Sequence, residues 1–162
     1  MLTELGANPA AAHRRALADY LALKATNDQI RERAVRWLFD VLVELASIAN
    51  RRNMPITVER EDSHRFSHRG ATLAGSVLRL RHGVRCLTLE AGWTRVPGDG
   101  FMRGQALAMA RISHFGLKRA DTEMSLRHTD NLPNWFVLDK NNSVTPLTPE
   151  ELMRHFSILV DR

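Results

Sequence analysis

Apolar residues in the first third of the chain recur at helical spacing, and this pattern predicts two helices. Asn8-Pro9 places a favourable cap residue before a proline, so helix A is predicted over 10–25. Residues 26–29, TNDQ, have the form of a capping box and predict the start of a long helix B. The expected core face of helix B consists of Ile30, Ala34, Trp37, Leu38, Val41, Leu45 and Ile48. Further apolar residues, namely Val35, Phe39, Leu42, Val43 and Ala46, form a flank that helix A or another subunit must cover.

After Pro55 the hydrophobic period changes to two, which predicts strands. ITVERE (56–61) is the first predicted strand, and the polar segment 62–70 is predicted to be a solvated bridge. Two apolar runs flank His82-Gly83, where glycine suits a tight hairpin turn. That turn pairs Leu78 with Leu87 and gives the hairpin one buried face and one solvated face. Trp93 belongs to the buried face, and Arg79 and Arg81 to the solvated one.

Residues 101–115 fit a helix or a strand, and we prefer the helix because its alanine-rich sequence has high helix propensity. EMSLRH (123–128) and NWFVLD (134–139) predict two further strands. Thr148-Pro149 followed by Glu151 predicts the start of a last helix, with Leu152, Phe156 and Leu159 on its packed face.

These elements predict an α+β fold in the order ααβββαββα. It comprises N-terminal helices, an antiparallel sheet of about five strands, a helix packed on one face and a C-terminal helix. We expect a single globular domain over 1–162, with any disorder confined to residues 1–7. The order of the last eight elements resembles the α+β topology of small secretion chaperones, and this resemblance concerns element order alone.

The composition indicates the cellular compartment of the protein and excludes sites built from several cysteines. Cys86 is the single cysteine of the 162 residues, which excludes an internal disulfide and any site built from several cysteines of one chain. The most apolar run is broken by Asp40 and Glu44, and the N-terminus lacks the apolar core of a signal peptide. We therefore expect a cytoplasmic protein without a membrane span, and we predict no cofactor or metal.

Positive charge is concentrated in the middle of the chain. Residues 79–128 carry nine Arg or Lys against four Asp or Glu. The candidate residues for binding an anion or a nucleic acid are Arg79, Arg81, Arg95 and Arg103. Arg95 and Arg103 belong to the glycine-rich segment 92–104, GWTRVPGDGFMRG, which is either a plain turn or a corner whose free N–H groups hold an anion. We prefer the turn, because Asp99 would already cap those donors.

Three histidines and the cysteine are candidates for two other kinds of site, a metal site and a catalytic nucleophile. His64 and His68 have metal-ligand spacing on a helix, but on a strand or bridge they would lie too far apart to share an ion, so we interpret them as solvated loop residues. Cys86 could act as a nucleophile beside His114, yet no local motif supports this, and a buried structural cysteine is preferred.

The leading hypothesis is a non-enzymatic binding module, either a protein–protein adaptor or a chaperone-like homodimer. Two copies would be joined by the broad apolar arc of helix B or by the central helix, and a polypeptide partner would bind the sheet face. The alternative is a nucleic-acid-binding protein that uses the Arg-rich segment 79–128. A third possibility is an enzyme with a cleft near His114, Cys86 and the turn 97–104.

Overall fold

The computed structural model describes residues 8–130, 132–141 and 143–161, and the expectation about residues 1–7 lies outside these ranges. Within them the chain forms two helices and seven strands, which confirms the α+β class with one helix at each end. In chain order the elements are α1 (Pro9–Arg51), β1 (Thr57–His68), β2 (Ala71–His82), β3 (Arg85–Trp93), β4 (Ala108–His114), β5 (Thr122–Thr129), β6 (Leu132–Leu138), β7 (Val144–Pro146) and α2 (Pro149–Val160).

α1 is one continuous helix of 43 residues, so the predicted division into helices A and B is wrong. The Thr26 hydroxyl donates to the Ala22 carbonyl oxygen at 3.0 Å, a bond that threonine makes inside a continuing helix. The predicted start is confirmed, since the Asn8 side chain accepts a hydrogen bond from the Ala10 N–H at 3.1 Å. A helix of this length extends about 64 Å. Residues 12–26 are all exposed.

The buried side of α1 only partly matches the predicted face: Leu38 is buried as predicted, and Ile30, Ala34, Val41 and Leu45 are partly buried against the core. The buried residues of α1 are Val35, Leu38, Phe39, Leu42, Ala46 and Ala49, and several of them belong to the predicted flank. Trp37, which was expected in the core, is 41% exposed. The apolar arc is wide enough to offer two core faces, and packing against the sheet selects one of them. Trp135 of β6 contributes to the contact between α1 and the sheet by donating its indole N–H to the Ala34 carbonyl oxygen at 3.0 Å.

The seven strands form one antiparallel sheet in the order β1-β2-β3-β4-β5-β6-β7. The helix predicted over 101–115 is wrong, because β4 occupies most of that segment between β3 and β5. Ala110 of β4 pairs with Ala91 on one side and Met124 on the other. Pairing with two neighbours outweighs the helix propensity of the alanines. The resemblance to secretion chaperones required this central helix, so the predicted element order does not hold.

The predicted β2–β3 hairpin exists, with its turn one residue further along the chain. His82 pairs with Arg85, so Gly83 and Val84 form the turn, and Gly83 has a φ of 60°. Leu78 consequently pairs with Leu89 and not with Leu87. A register shift of two residues keeps every side chain on its predicted face.

Both helices cover the same face of the sheet and form the main core with it. The sheet side chains of this core include Leu78, Leu80, Leu87, Leu89 and Ile112, all fully buried. The start of α2 is as predicted, with the Thr148 hydroxyl accepting from the Glu151 N–H at 3.4 Å. Leu152 and Leu159 are buried as predicted, and His155 is buried beside them.

The opposite face is concave, because the β1 and β2 strands curl over it. The register of β1 and β2 shifts between Glu61 and His64, and such an irregularity bends a strand. Gly75 and Gly92 face each other at the bend, and a Cβ on Gly75 would lie 1.9 Å from the Ala91 carbonyl oxygen. Glycine therefore permits the close approach of the two strands. The predicted solvated face is thus partly enclosed.

The curl creates a second, smaller apolar cluster on the concave face. Its buried members are Phe66, Ala71, Leu73, Ala106 and Met109, contributed by strands β1, β2 and β4 and by the loop before β4. The polar segment predicted as a bridge is therefore the second half of β1. In the described part of the chain, no helix is long and apolar enough to cross a membrane.

Candidate anion-binding pocket

The four arginines predicted from the sequence lie in three separate places. Arg79 and Arg81 project from the concave face near the β2–β3 turn, where Arg81 forms an ion pair with Glu59 at 3.2 Å. Arg103 lies beside Ala71, at the other end of β2. Ala71 is ten residues from Arg81 along this strand, or about 33 Å. The structure therefore does not gather these side chains into one surface.

Arg95 belongs to the helix-covered side of the sheet. Its guanidinium carbon lies 3.8 Å from the centroid of the Trp93 ring, and its Nη2 donates to the Ala74 carbonyl oxygen at 2.8 Å. Trp93 itself is in the main core, as predicted. Arg95 is thus occupied in holding the end of β3 against β2.

The glycine-rich segment 92–104 forms a corner without a helix of α type. The Asp99 carboxylate accepts hydrogen bonds from the N–H groups of Arg95 and Val96, at 3.1 and 3.3 Å. Those donors are therefore already used within the corner. Gly100 and Gly104 adopt positive φ values of 92° and 66°, and the chain then turns into β4. The corner brings Arg103 to the concave face.

Arg103 lies at a cavity of about 220 Å³ at the curled end of the concave face. The floor of the cavity is apolar and consists of Ala71, Leu73, Met102, Met109 and Leu138. Its rim is basic and consists of His68, Arg69, Arg103 and Arg127. Helix α1 holds the wall that carries Arg103, because Arg31 Nε donates to the Leu107 carbonyl oxygen at 2.6 Å.

His68 places a buried and unpartnered nitrogen at this cavity. Its side chain is only 6% exposed, and its Nε2 lies 3.8 Å from Glu123 Oε2, beyond hydrogen-bond distance. Burial lowers the pKa of His68 below 6.5, the Glu123 carboxylate raises it, and the guanidinium groups of Arg69, Arg111 and Arg103 lower it further. The imidazole is therefore neutral at neutral pH, and its Nε2 is enclosed by protein atoms.

Arg127 is held in position from two sides. Its Nε donates to the Ser125 hydroxyl at 3.0 Å. Its Nη2 packs against the backbone of Gly104, where an added Cβ would lie 2.7 Å away. Among the described residues, no carboxylate lies within 4 Å of the guanidinium nitrogens of Arg127 or Arg103. Both groups can therefore bind an anion.

Arg69 differs from these two because Glu123 already neutralises it. Arg69 Nη2 lies 2.8 Å from Glu123 Oε2, and its Nε also donates to that oxygen at 3.1 Å. One carboxylate thus stands against three guanidinium groups and a neutral imidazole. The rim keeps a net positive charge for an incoming ligand.

A second polar network lies beside the cavity on the same face. Glu90 accepts a hydrogen bond from Arg111 Nη2 at 2.8 Å, and His64 Nε2 lies 2.7 Å from its other oxygen. Burial raises the pKa of Glu90, but the hydrogen bonds with His64 and Arg111 outweigh burial and lower it. His64 and His68 therefore lie on β1 and not in a solvated loop, which corrects the prediction. Among the described residues, no cluster of three or more potential ligands could hold a metal ion.

The third possibility from the sequence joined His114 and Cys86 to the turn 97–104. His114 lies on the helix-covered face, where its Nε2 lies 2.9 Å from Nδ1 of His155. Cys86 pairs with Arg81, on the alternate face of β3. The turn 97–104 lies at the opposite end of that strand. Cys86 and His114 nevertheless line one cavity beside α2, so the structure brings two of these three features together and leaves the turn 97–104 apart from them.

The His114–His155 pair is buried between β4 and α2. Burial is the largest effect on His155, and together with the neighbouring His114 and Arg154 it lowers the pKa to about 4, against a smaller opposite effect of Glu151. Burial also lowers the pKa of His114, so both rings are neutral at neutral pH. The pair forms a polar contact inside the main core.

Sequence reasoning identified Arg103 but not its partners in the pocket. Arg69 had no special signal, His68 was considered only as a metal ligand, and Arg127 was one of several basic residues of the segment 79–128. Their convergence depends on the curl of the sheet, which brings β1 to β5 across the concave face. The close pair Gly75 and Gly92 was the available signal, since glycine inside a strand often marks a bend.

We compared the chain with models of known protein families, with curated proteins and with solved structures, and none of the three comparisons gave a match.

Proposed function

We propose that this protein is a non-enzymatic binding module that holds the anionic group of its ligand in the pocket at the curled end of the sheet. The observation that carries the proposal is the pair of guanidinium groups of Arg103 and Arg127 at the rim of an apolar cavity, both without a carboxylate partner in the described chain. Charge-assisted hydrogen bonds from such groups are stronger than neutral ones. Ligand sites are typically concave and apolar with a few convergent polar groups, as this cavity is.

Inorganic phosphate is a suitable first probe, because it tests the anion site alone. We expect addition of phosphate at constant ionic strength to shift the amide NMR signals of His68, Arg69 and Gly104. Arg127→Gln should abolish these shifts. Arg79→Gln is the matched control, since it removes an arginine of the same face far from the pocket. Shifts that survive Arg127→Gln, or the absence of any shift, would contradict the proposal.

The second candidate function is the adaptor or chaperone-like homodimer predicted from the sequence. The exposed N-terminal part of α1, residues 12–26, favours it. This part carries four apolar side chains that are 52–61% exposed, namely Leu17, Tyr20, Leu21 and Leu23. Apolar side chains grouped in this way are typical of an interaction surface. A second copy of α1 would bury the same residues in a symmetric pair.

Sedimentation equilibrium at micromolar concentration tests the homodimer. We expect a dimer mass for the natural chain and a monomer mass for Leu21→Lys. Ala22→Lys adds the same charge on another side of the helix and should remain dimeric. A monomer for the natural chain would remove this candidate.

Nucleic-acid binding through the segment 79–128 stays a prediction. Fluorescence anisotropy with labelled single- and double-stranded DNA and RNA at about 50 and 200 mM salt would test it, because phosphate contacts weaken steeply over that range. Tight binding that falls with salt and with Arg79→Gln would place this function ahead of the pocket.

A further inference from the structure

The pocket combines a basic rim with an apolar floor, and the floor restricts the ligand more than the rim does. A site for a free inorganic anion needs only the charged groups. Here Leu73 is fully buried and Met109 is 4% exposed beneath them. These side chains give the cavity an interior that favours an apolar body attached to the anionic group.

The size of the cavity limits that body. The cavity has a volume of about 220 Å³. Typical cofactor and drug sites are larger, at about 300–1,000 Å³, so this cavity suits a small ligand.

The rim offers two guanidinium groups to a negatively charged ligand. Arg103 and Arg127 are available, whereas Arg69 is already paired with the Glu123 carboxylate at 2.8 Å. A planar guanidinium matches the two oxygens of a carboxylate.

Resting on the proposed function, we infer that the ligand of this pocket is a small organic acid, with one carboxylate on a compact apolar body. The carboxylate accepts hydrogen bonds from Arg127 and Arg103. The apolar body packs on Leu73, Met109 and Leu138. The same chemistry occurs in a free acid and in the C-terminal residue of a polypeptide, and the cavity volume favours the free acid.

The test is a set of NMR titrations of the whole chain with five probes: acetate, 4-methylpentanoate, 4-methylpentanol, inorganic phosphate and an acetylated tripeptide ending in leucine. We expect 4-methylpentanoate to bind at least about tenfold more tightly than acetate, because the added carbons bury apolar surface. The alcohol should bind at least about tenfold more weakly than the acid, because it lacks the charge. Arg127→Gln should lower the affinity for the acid by about tenfold or more, and Arg127→Lys should lower it less. Arg79→Gln should leave it unchanged.

The outcomes separate this inference from the proposed function. Phosphate binding that depends on Arg127 but exceeds that of 4-methylpentanoate would overturn the organic acid and leave the anion site standing. Equal affinities for the acid and the alcohol would overturn the carboxylate. Tighter binding of the tripeptide than of the free acid would overturn the free acid in favour of a polypeptide C-terminus. The absence of binding by every probe would remove the anion site itself.

Discussion

The helix-covered face and the concave face of the sheet are built from the same strands, with alternate side chains going to each. The covered face is mainly apolar, and α1 and α2 exclude water from it. The concave face has a small apolar cluster surrounded by charged side chains, and it encloses a cavity. The comparison shows how one sheet can separate the main core from the face that carries the candidate pocket.

The largest expected difference between the faces concerns loss of a leucine side chain. Leu78 on the covered face and Leu73 on the concave face are both fully buried. We expect Leu78→Ala to lower the free energy of unfolding by about 4 kcal/mol and Leu73→Ala by about 2 kcal/mol, because the space left at Leu73 joins a cavity that water can enter. Urea unfolding followed by tryptophan fluorescence measures both. Equal losses would show that the concave cluster contributes as much stability as the main core.

An intermediate effect is expected where the two faces meet at the bend. Gly75→Ala would place a Cβ 1.9 Å from the Ala91 carbonyl oxygen, and the strands would have to separate. We expect a loss of about 3 kcal/mol, comparable with severe overpacking. Gly98→Ala is the matched control, since nothing lies within 4 Å of its added Cβ, and it should change stability by less than about 0.5 kcal/mol. Thermal unfolding of the two variants compares them, and similar melting temperatures would show that the curl does not need glycine.

The smallest expected effect depends on pH and belongs to the covered face. The pKa of His155 falls from 6.5 to about 4 on folding, so the unfolded chain takes up a proton at a higher pH than the folded one. The stability contribution is complete above about pH 6.5 and is lost as the pH falls toward 4. Between pH 7.5 and 4.5 we expect at most about 2 kcal/mol from this group. His155→Leu should show a correspondingly smaller loss over the same range, measured by urea unfolding, and parallel curves for the two proteins would contradict the assignment.

Local signals predicted the parts of the fold that depend on neighbours in sequence. The caps at Asn8 and Thr148, the β2–β3 hairpin and the alternation of its faces all follow from nearby residues. The predictions that were wrong depended on distant partners. Thr26 lies inside a helix that continues past it, and residues 108–114 pair with strands on both sides.

The candidate pocket was less predictable than the fold, because it too depends on residues that are distant in sequence. Its rim combines His68 of β1, Arg127 of β5 and Arg103 of the corner before β4. These residues are far apart in sequence, and only the curl brings them together. Positive charge in the segment 79–128 was visible, but the selection of Arg103 over Arg79, Arg81 and Arg95 required the geometry.

The exposed N-terminal part of α1 also affects how fast the molecule diffuses in solution. Residues 12–26 extend over about 21 Å of helix without burying any of their side chains. Such a projection increases frictional drag without adding much mass. A single chain of 18.4 kDa should therefore elute from a gel-filtration column ahead of a compact protein of the same mass. Elution volume alone would overstate the number of subunits.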